Sequence, residues 1–248
     1  MTPAYLLSVG LAVAIGVTLG AMGSGGSILT LPVLVYIARV EPSKAVAMSL
    51  AIVGATSTVG ALLYRRQGNF HLKAFALLGI TGIVGAYLGS TLTRLLPAST
   101  LMLVFAGLMV LVGILMLSGA TSRLSPGYCR PIRCATIGAV VGVLTGFLGV
   151  GGGFLIVPAL IVFAGLDMKD AVGTSLAIIA LNSTSGLLGQ MRDAEIDWTL
   201  TVLFIAVCIA GMLIGVAAVQ RVATSTLNKL FASLLIAVGV MVGGRQLW

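Results

Sequence analysis

Hydrophobic positions in this chain fall in long uncharged runs separated by short charged loops. The runs cover residues 4–38, 45–64, 74–93, 95–122, 134–166, 171–191, 198–220 and 230–244. Most reach or approach the ~20 residues that a helix needs to cross a hydrocarbon core about 30 Å thick. They are continuous and lack the short alternating segments of a membrane barrel. The pattern predicts an all-α polytopic membrane protein, with plain helices at about 44–65, 73–95, 98–118, 170–191, 197–221 and 225–245. Two longer segments, 4–38 and 130–165, are interrupted by glycine.

A shift of 126 positions lays one half of the chain over the other. "GAMGSGGSILTLPVLV" from Gly20 falls on "GFLGVGGGFLIVPALI" from Gly146, and "AVAMSLAIVGATSTVG" falls on "AVGTSLAIIALNSTSG". Small apolar residues match easily, so the weight rests on Gly23/Gly149, Gly25/Gly151, Gly26/Gly152, Pro32/Pro158 and Arg66/Arg192. The reading is a duplication: residues 1–122 form one transmembrane repeat and 130–248 the other, each a Gly-broken first segment followed by three transmembrane helices. If the broken segment returns, each unit has an odd number of passes and the halves are inverted. Arg65, Arg66, Lys73, Arg123, Arg130, Arg133, Lys169, Arg221 and Lys229 then share the cytoplasmic side, opposite Asp193, Glu195 and Asp197. A single pass makes the halves parallel and sorts Lys and Arg slightly less well, so the charge pattern favours inversion.

Glycine-rich breaks at membrane depth have a physical consequence. Freed backbone groups are tolerated only where they face protein or a water-filled cavity. Amide groups at a helix start attract anions, and paired discontinuous helices at a repeat interface are the pattern of secondary transporters. The breaks therefore predict a wet cavity, with the substrate held between them near the midplane, and they supply Gly23, Ser24, Gly25, Gly26 and Ser27, and Gly149, Gly151, Gly152 and Gly153, as substrate-binding candidates. Pro32 and Pro158 either kink the returning half-helix or start it, the second option leaving Ser27–Leu31 and Gly153–Val157 extended. Ser49, Thr56 and Gly60 form one helical stripe, repeated by Ser175, Asn182 and Gly186. Ser49, Thr174, Ser175 and Asn182 join the candidate site; interhelical hydrogen bonding is the competing role for such residues. For Gly16, Gly85, Gly89, Gly211 and Gly215 the spacing favours helix packing over ligand contact.

Composition narrows the classes further. With 59% hydrophobic and 8% charged residues, the chain cannot cover a water-exposed surface. Its net charge of +8 lies in short loops and forms no basic face, which argues against nucleic acid. One histidine, His71, and three cysteines, Cys129, Cys134 and Cys208, make no metal set, and no cofactor is expected. No Asp, Glu, Lys, Arg or His lies within a predicted span, so neither an enzyme nor a carboxylate proton relay can be assembled at membrane depth. The edge acids Glu41, Asp167, Asp170, Asp193, Glu195 and Asp197 read as solvated loop residues. The expected partners are a small anionic substrate and membrane lipid, with a homo-oligomer left open.

The pair "GAMGSGGSILTLP" and "GFLGVGGGFLIVP", followed by "AVAMSL" and "AVGTSL", resembles the TauE/SafE sulfite exporter family, also described as the toluene sulfonate uptake permease family. The resemblance spans nearly the whole chain. It implies a secondary transporter of sulfur-containing anions such as sulfite, sulfoacetate and other organosulfonates, in the bacterial inner membrane. The family's glycine signature falls on Gly23, Gly25, Gly26, Gly149, Gly151, Gly152 and Gly153, and its Thr-Ser pair on Thr174 and Ser175. In the first half, Met48 replaces the threonine and Ser27 the last glycine. A passive anion channel and a non-transporting membrane scaffold are the rival classes.

Overall fold

The computed structural model describes residues 3–23, 25–92, 98–118, 131–148, 153–190, 196–219 and 222–247. All its regular elements are helical: α1 (Pro3–Met22), α2 (Gly25–Pro32) with a π-turn at Val33–Ile37, α3 (Pro42–Arg66), α4 (Leu72–Leu92), α5 (Ala98–Leu117), α6 (Pro131–Leu148), α7 (Gly153–Ala164), α8 (Met168–Gln190), α9 (Trp198–Val219) and α10 (Thr224–Leu247). Among the described residues, five helices are long and apolar enough to cross a membrane, and shorter apolar helices accompany them. Exposed Ile80, Val84, Val202, Ile214 and Val240 are the surface such helices offer to lipid. The spans of α3 and α8 are 61% and 67% buried against 39% for α4, α9 and α10, so α3 and α8 form the centre.

The helix directions follow from which backbones touch. Gly186 meets Leu50, Gly54 meets Ser183, Gly60 meets Leu176 and Gly173 meets Tyr64, so α3 and α8 run antiparallel. Gly113 meets Ala232 and Ile236 while Gly239 meets Ala106 and Val110, so α5 and α10 are antiparallel as well. By contrast α1 lies parallel to α9 and α4 parallel to α6, at crossings where no side chain separates the backbones. Gly16 touches the Cys208 carbonyl and Gly142 the Gly82 carbonyl; Gly211 touches Val13 and Val17, and Gly85 touches Ala139 and Val143. Each of these contacts becomes another on shifting by 126 positions. Gly16, Gly85, Gly211 and Gly215 therefore have the packing role their spacing suggested.

After α1 the chain turns back. Gly23 takes φ +70, its N–H donating to the Leu19 carbonyl at 2.8 Å, and Gly26 then lies beside Ile15 and Leu19. The extended alternative for Ser27–Leu31 and Gly153–Val157 is not adopted: α2 ends at Pro32 and α7 continues through Pro158. Proline removes an N–H and its ring pushes on the carbonyl one turn back. In the first copy the helix widens just beyond it, with the Ala38 N–H on the Val33 carbonyl at 2.9 Å. Both copies close with a helix-ending bond across the same interval, Val40 N–H to Leu34 O at 2.9 Å and Leu166 N–H to Leu160 O at 3.3 Å. The left-handed residue inside that turn is Gly165 in one copy and Arg39, at φ 56, in the other. A side chain in that conformation costs about 1 kcal/mol or more. Arg39→Gly is accordingly expected to raise the thermal stability of the purified protein by about 1 kcal/mol, and Gly165→Ala to lower it similarly. An unchanged or lowered midpoint for Arg39→Gly would show that the arginine side chain compensates for the strain.

Candidate functional site

The centre of a membrane bundle should be apolar or fully hydrogen-bonded, because an unpaired polar group there costs free energy. On the two central helices, α3 and α8, it is neither. Ser49, Ser57, Asn182 and Ser183 are at most 2% exposed, and their Ser49 Oγ, Ser57 Oγ, Asn182 Oδ1 and Ser183 Oγ atoms have no hydrogen-bond partner. Asn182 occupies space that Gly82 leaves open: a Cβ there would lie 2.8 Å from Oδ1. The residues that a 126-position shift equates with this pair are Thr56 and Cys208, and both are satisfied. Thr56 donates to the Ile52 carbonyl at 2.7 Å and Cys208 to the Ala12 carbonyl at 3.2 Å. Under that shift the orphan amide thus has no orphan counterpart in the first half of the chain.

Other hydroxyls on these helices are occupied. Thr58 and Thr184 donate to their own helices, Gly54 O and Ala180 O, each at 2.8 Å, and Ser185 donates to Ile83 O at 2.8 Å. The candidate Thr174 is buried but accepts the His71 N–H at 3.0 Å, which ties the α3–α4 loop onto α8. Met48, its equivalent in the first half, cannot accept such a bond. His71 in turn caps α4, its Nδ1 accepting the Ala74 N–H at 3.3 Å, and Asp197 caps α9 through the Leu200 N–H at 3.0 Å. Asp197 is therefore a helix cap rather than only a solvated loop acid.

The candidate Ser175 sits against the first break. Its Oγ donates to the Val172 carbonyl at 2.8 Å and would lie 2.8 Å from a Cβ on Gly23. Tyr64 seals the same corner by donating to the Gly20 carbonyl at 2.8 Å, a group the end of α1 leaves unpaired. Gly25 and Gly26 open α2 there, and Ser27 is buried one residue on. Gly153 opens α7. Ser24, Gly149, Gly151 and Gly152 lie outside the described residues.

The sequence reading sets both interruptions on one pocket at the midplane; the second interruption lies outside the described residues. Gly23 lies level with Val172 and Ser175, whereas Gly146, just before the second break, lies beside Gly186. At 1.5 Å per residue these levels on α8 are about 16–21 Å apart. The cause is the antiparallel seam, which sends equivalent positions of α3 and α8 to opposite ends. That reading also expects open, wet space at the breaks. Instead Gly23 and Gly26 are packed too tightly to admit a methyl group, so at these residues the first break is closed. Between the two levels lie Ser57, Asn182 and Ser183. Sequence reasoning left Ser57 and Ser183 out of the site; their one signal was that a serine recurs at both positions under the shift.

A bundle of apolar helices, exposed apolar outside and polar along its central seam, has the architecture of an integral membrane transporter. The sequence pattern of the family described as Sulfite exporter TauE/SafE matches residues 8–242, and the chain belongs to that family. A "Probable membrane transporter protein" of Xylella fastidiosa (strain 9a5c) is 33% identical over 249 residues, covering 97% of this chain and 95% of the relative. One from Bacillus subtilis (strain 168) is 26% identical over 207 residues, covering 81% and 84%. One from Methanocaldococcus jannaschii is 25% identical over 263 residues, covering 95% and 96%. No solved structure matches the chain. The family and these relatives are described as membrane transporters, and this chain is a membrane transporter, not an enzyme.

Proposed function

We propose that the protein carries a small sulfur-containing anion, of the sulfite and organosulfonate class, along the α3–α8 seam in the inner membrane of a bacterium. The observation that carries this reading is the set of buried, partnerless oxygens that the two central helices carry on Ser49, Ser57, Asn182 and Ser183. Hydroxyl and amide groups left unpaired in the resting protein are available to a ligand, and they can hold a weakly hydrated oxyanion without a charge that would trap it. In this reading each break serves as an entry from its own side. The amides of Gly25 and Gly26 act with Ser175 on one face, and those of Gly151, Gly152 and Gly153 with Ser49 on the other.

A duplicated chain with inverted halves is part of the same reading, and the helix pattern supports it. Helix starts at Pro42, Leu72 and Ala98 recur 126 residues later at Met168, Trp198 and Thr224. The antiparallel α3–α8 and α5–α10 pairs are what a two-fold axis in the membrane plane requires of equivalent helices. The helix directions also gather Arg65, Arg66, Lys73 and Lys169 at one end and Asp197 at the other, in keeping with the positive-inside rule. The closed packing at Gly23 is then one state of a carrier whose repeats rock against each other. In proteoliposomes, saturable counterflow is expected for at least one of sulfite, thiosulfate and sulfoacetate, with sulfate as a competitor test. Folded protein that moves none of the four would refute the substrate class.

A further inference from the structure

A separate groove opens on the outside of the bundle, between α3, α8 and the first turn of α4. It has a volume of ≈ 330 Å³, and its walls include Thr58, Leu62, Phe75, Ala177 and Ala180. Phe70 and Phe75, with ring centroids 5.4 Å apart, form one side, and Arg65 stands at the end nearest the α3–α4 loop. The groove borders the α3–α8 seam but is lined by other side chains than the buried Ser49, Ser57, Asn182 and Ser183. Its two hydroxyls, on Thr58 and Thr184, are already bonded to Gly54 O and Ala180 O, so apart from Arg65 at its end the lining asks for no hydrogen bond and offers no side-chain donor. Such a lining suits hydrocarbon.

Charge and depth select the occupant. From Arg65 to Thr58 is two turns of α3, ~10 Å, or about two thirds of the ~15 Å hydrocarbon depth of one leaflet, so the groove runs from the helix end toward the middle of the α3–α8 seam. Arg65 is exposed, and its guanidinium has no ion-pair partner among the described residues. Exposed Arg66 and Lys73 flank it, and no acidic side chain lines the groove.

We propose that this groove holds one acyl chain of an anionic phospholipid, with the lipid phosphate at Arg65. One basic residue near a membrane surface is worth about a fivefold preference for an anionic headgroup. The test is native mass spectrometry of the full chain released from nanodiscs of equimolar phosphatidylglycerol and phosphatidylcholine. Wild-type protein is expected to retain phosphatidylglycerol by at least about fivefold over phosphatidylcholine. Arg65→Gln, an exposed change that spares the fold, should lower that ratio by about fivefold. Ala180→Phe, which fills the groove, should lower retention of both lipids. Equal retention of the two lipids by wild type, or a ratio unmoved by Arg65→Gln, would overturn the proposal. Loss of the preference on adding inorganic phosphate would also overturn it, because the site would then be one for free anions. So would a dimer that Ala180→Phe dissociates, because the groove would then belong to a second copy of the chain.

Discussion

Replacing Asn182 by leucine is expected to make the protein more stable and a poorer transporter. The two side chains are close in size, so the space beside Gly82 stays filled. The change removes a buried amide whose oxygen has no partner. Leaving such a group unsatisfied costs roughly 1–3 kcal/mol, and that amount should be regained in a thermal or denaturant unfolding measurement. Flux of the transported anion should fall at least about tenfold, the equivalent of one hydrogen bond lost in a desolvated passage. Opposite signs in the two measurements are the signature of a polar group kept for its ligand at the expense of the fold. If stability and flux fall together, the amide is packing; if flux is untouched, the anion does not pass Asn182. Ser57→Ala with Ser183→Ala provides an independent arm, because alanine leaves the backbone and the seam undisturbed.

Gly142→Val should abolish folding or cost about 3 kcal/mol or more, since the added side chain would enter the backbone of α4 at Gly82. Gly16→Val, its counterpart at the α1–α9 crossing, should cost a similar amount because it meets the Cys208 backbone in the same way. Gly107→Val is the control: a Cβ at Gly107 meets nothing within 4 Å, so the change should stay within about 0.5 kcal/mol. Monodispersity and unfolding midpoint in one detergent measure all three. Equal tolerance at the three positions would mean that the close crossings do not hold the bundle together. The comparison also separates two kinds of glycine that look alike in the sequence, those that admit a neighbouring backbone and those that face open space.

Much of the architecture was legible in the one-dimensional pattern. Apolar runs of spanning length, charges confined to loops and the 126-position match gave the helices to within a few residues. Hydrophobic period and bilayer thickness act locally along the chain, so they leave a local record. The four-residue glycine spacing of Gly211 and Gly215 was readable for the same reason, since one face of one helix carries the whole signal. Prolines were less legible. Pro32 ends an α-helix ahead of a widened turn and Pro158 sits inside one, because neighbouring helices hold the backbone in a shape that proline alone disfavours.

By itself, then, the sequence determined that this is an all-helical membrane protein, where its helices and breaks fall, and that polar groups lie on the helices after each break. Only the tertiary structure decided how those groups are disposed. The antiparallel contact of α3 with α8 sets the first break, at Gly23, and Gly146, which leads into the second, at opposite ends of the seam. It also gathers Ser57, Asn182 and Ser183 near its centre. Whether a hydroxyl is satisfied depends on which backbone lies across from it. Ser183 and Ser185 lie two residues apart on α8, yet Ser185 reaches the Ile83 carbonyl of α4 and Ser183 reaches no partner. That distinction is a property of packing between distant segments, and no pattern along a single helix encodes it.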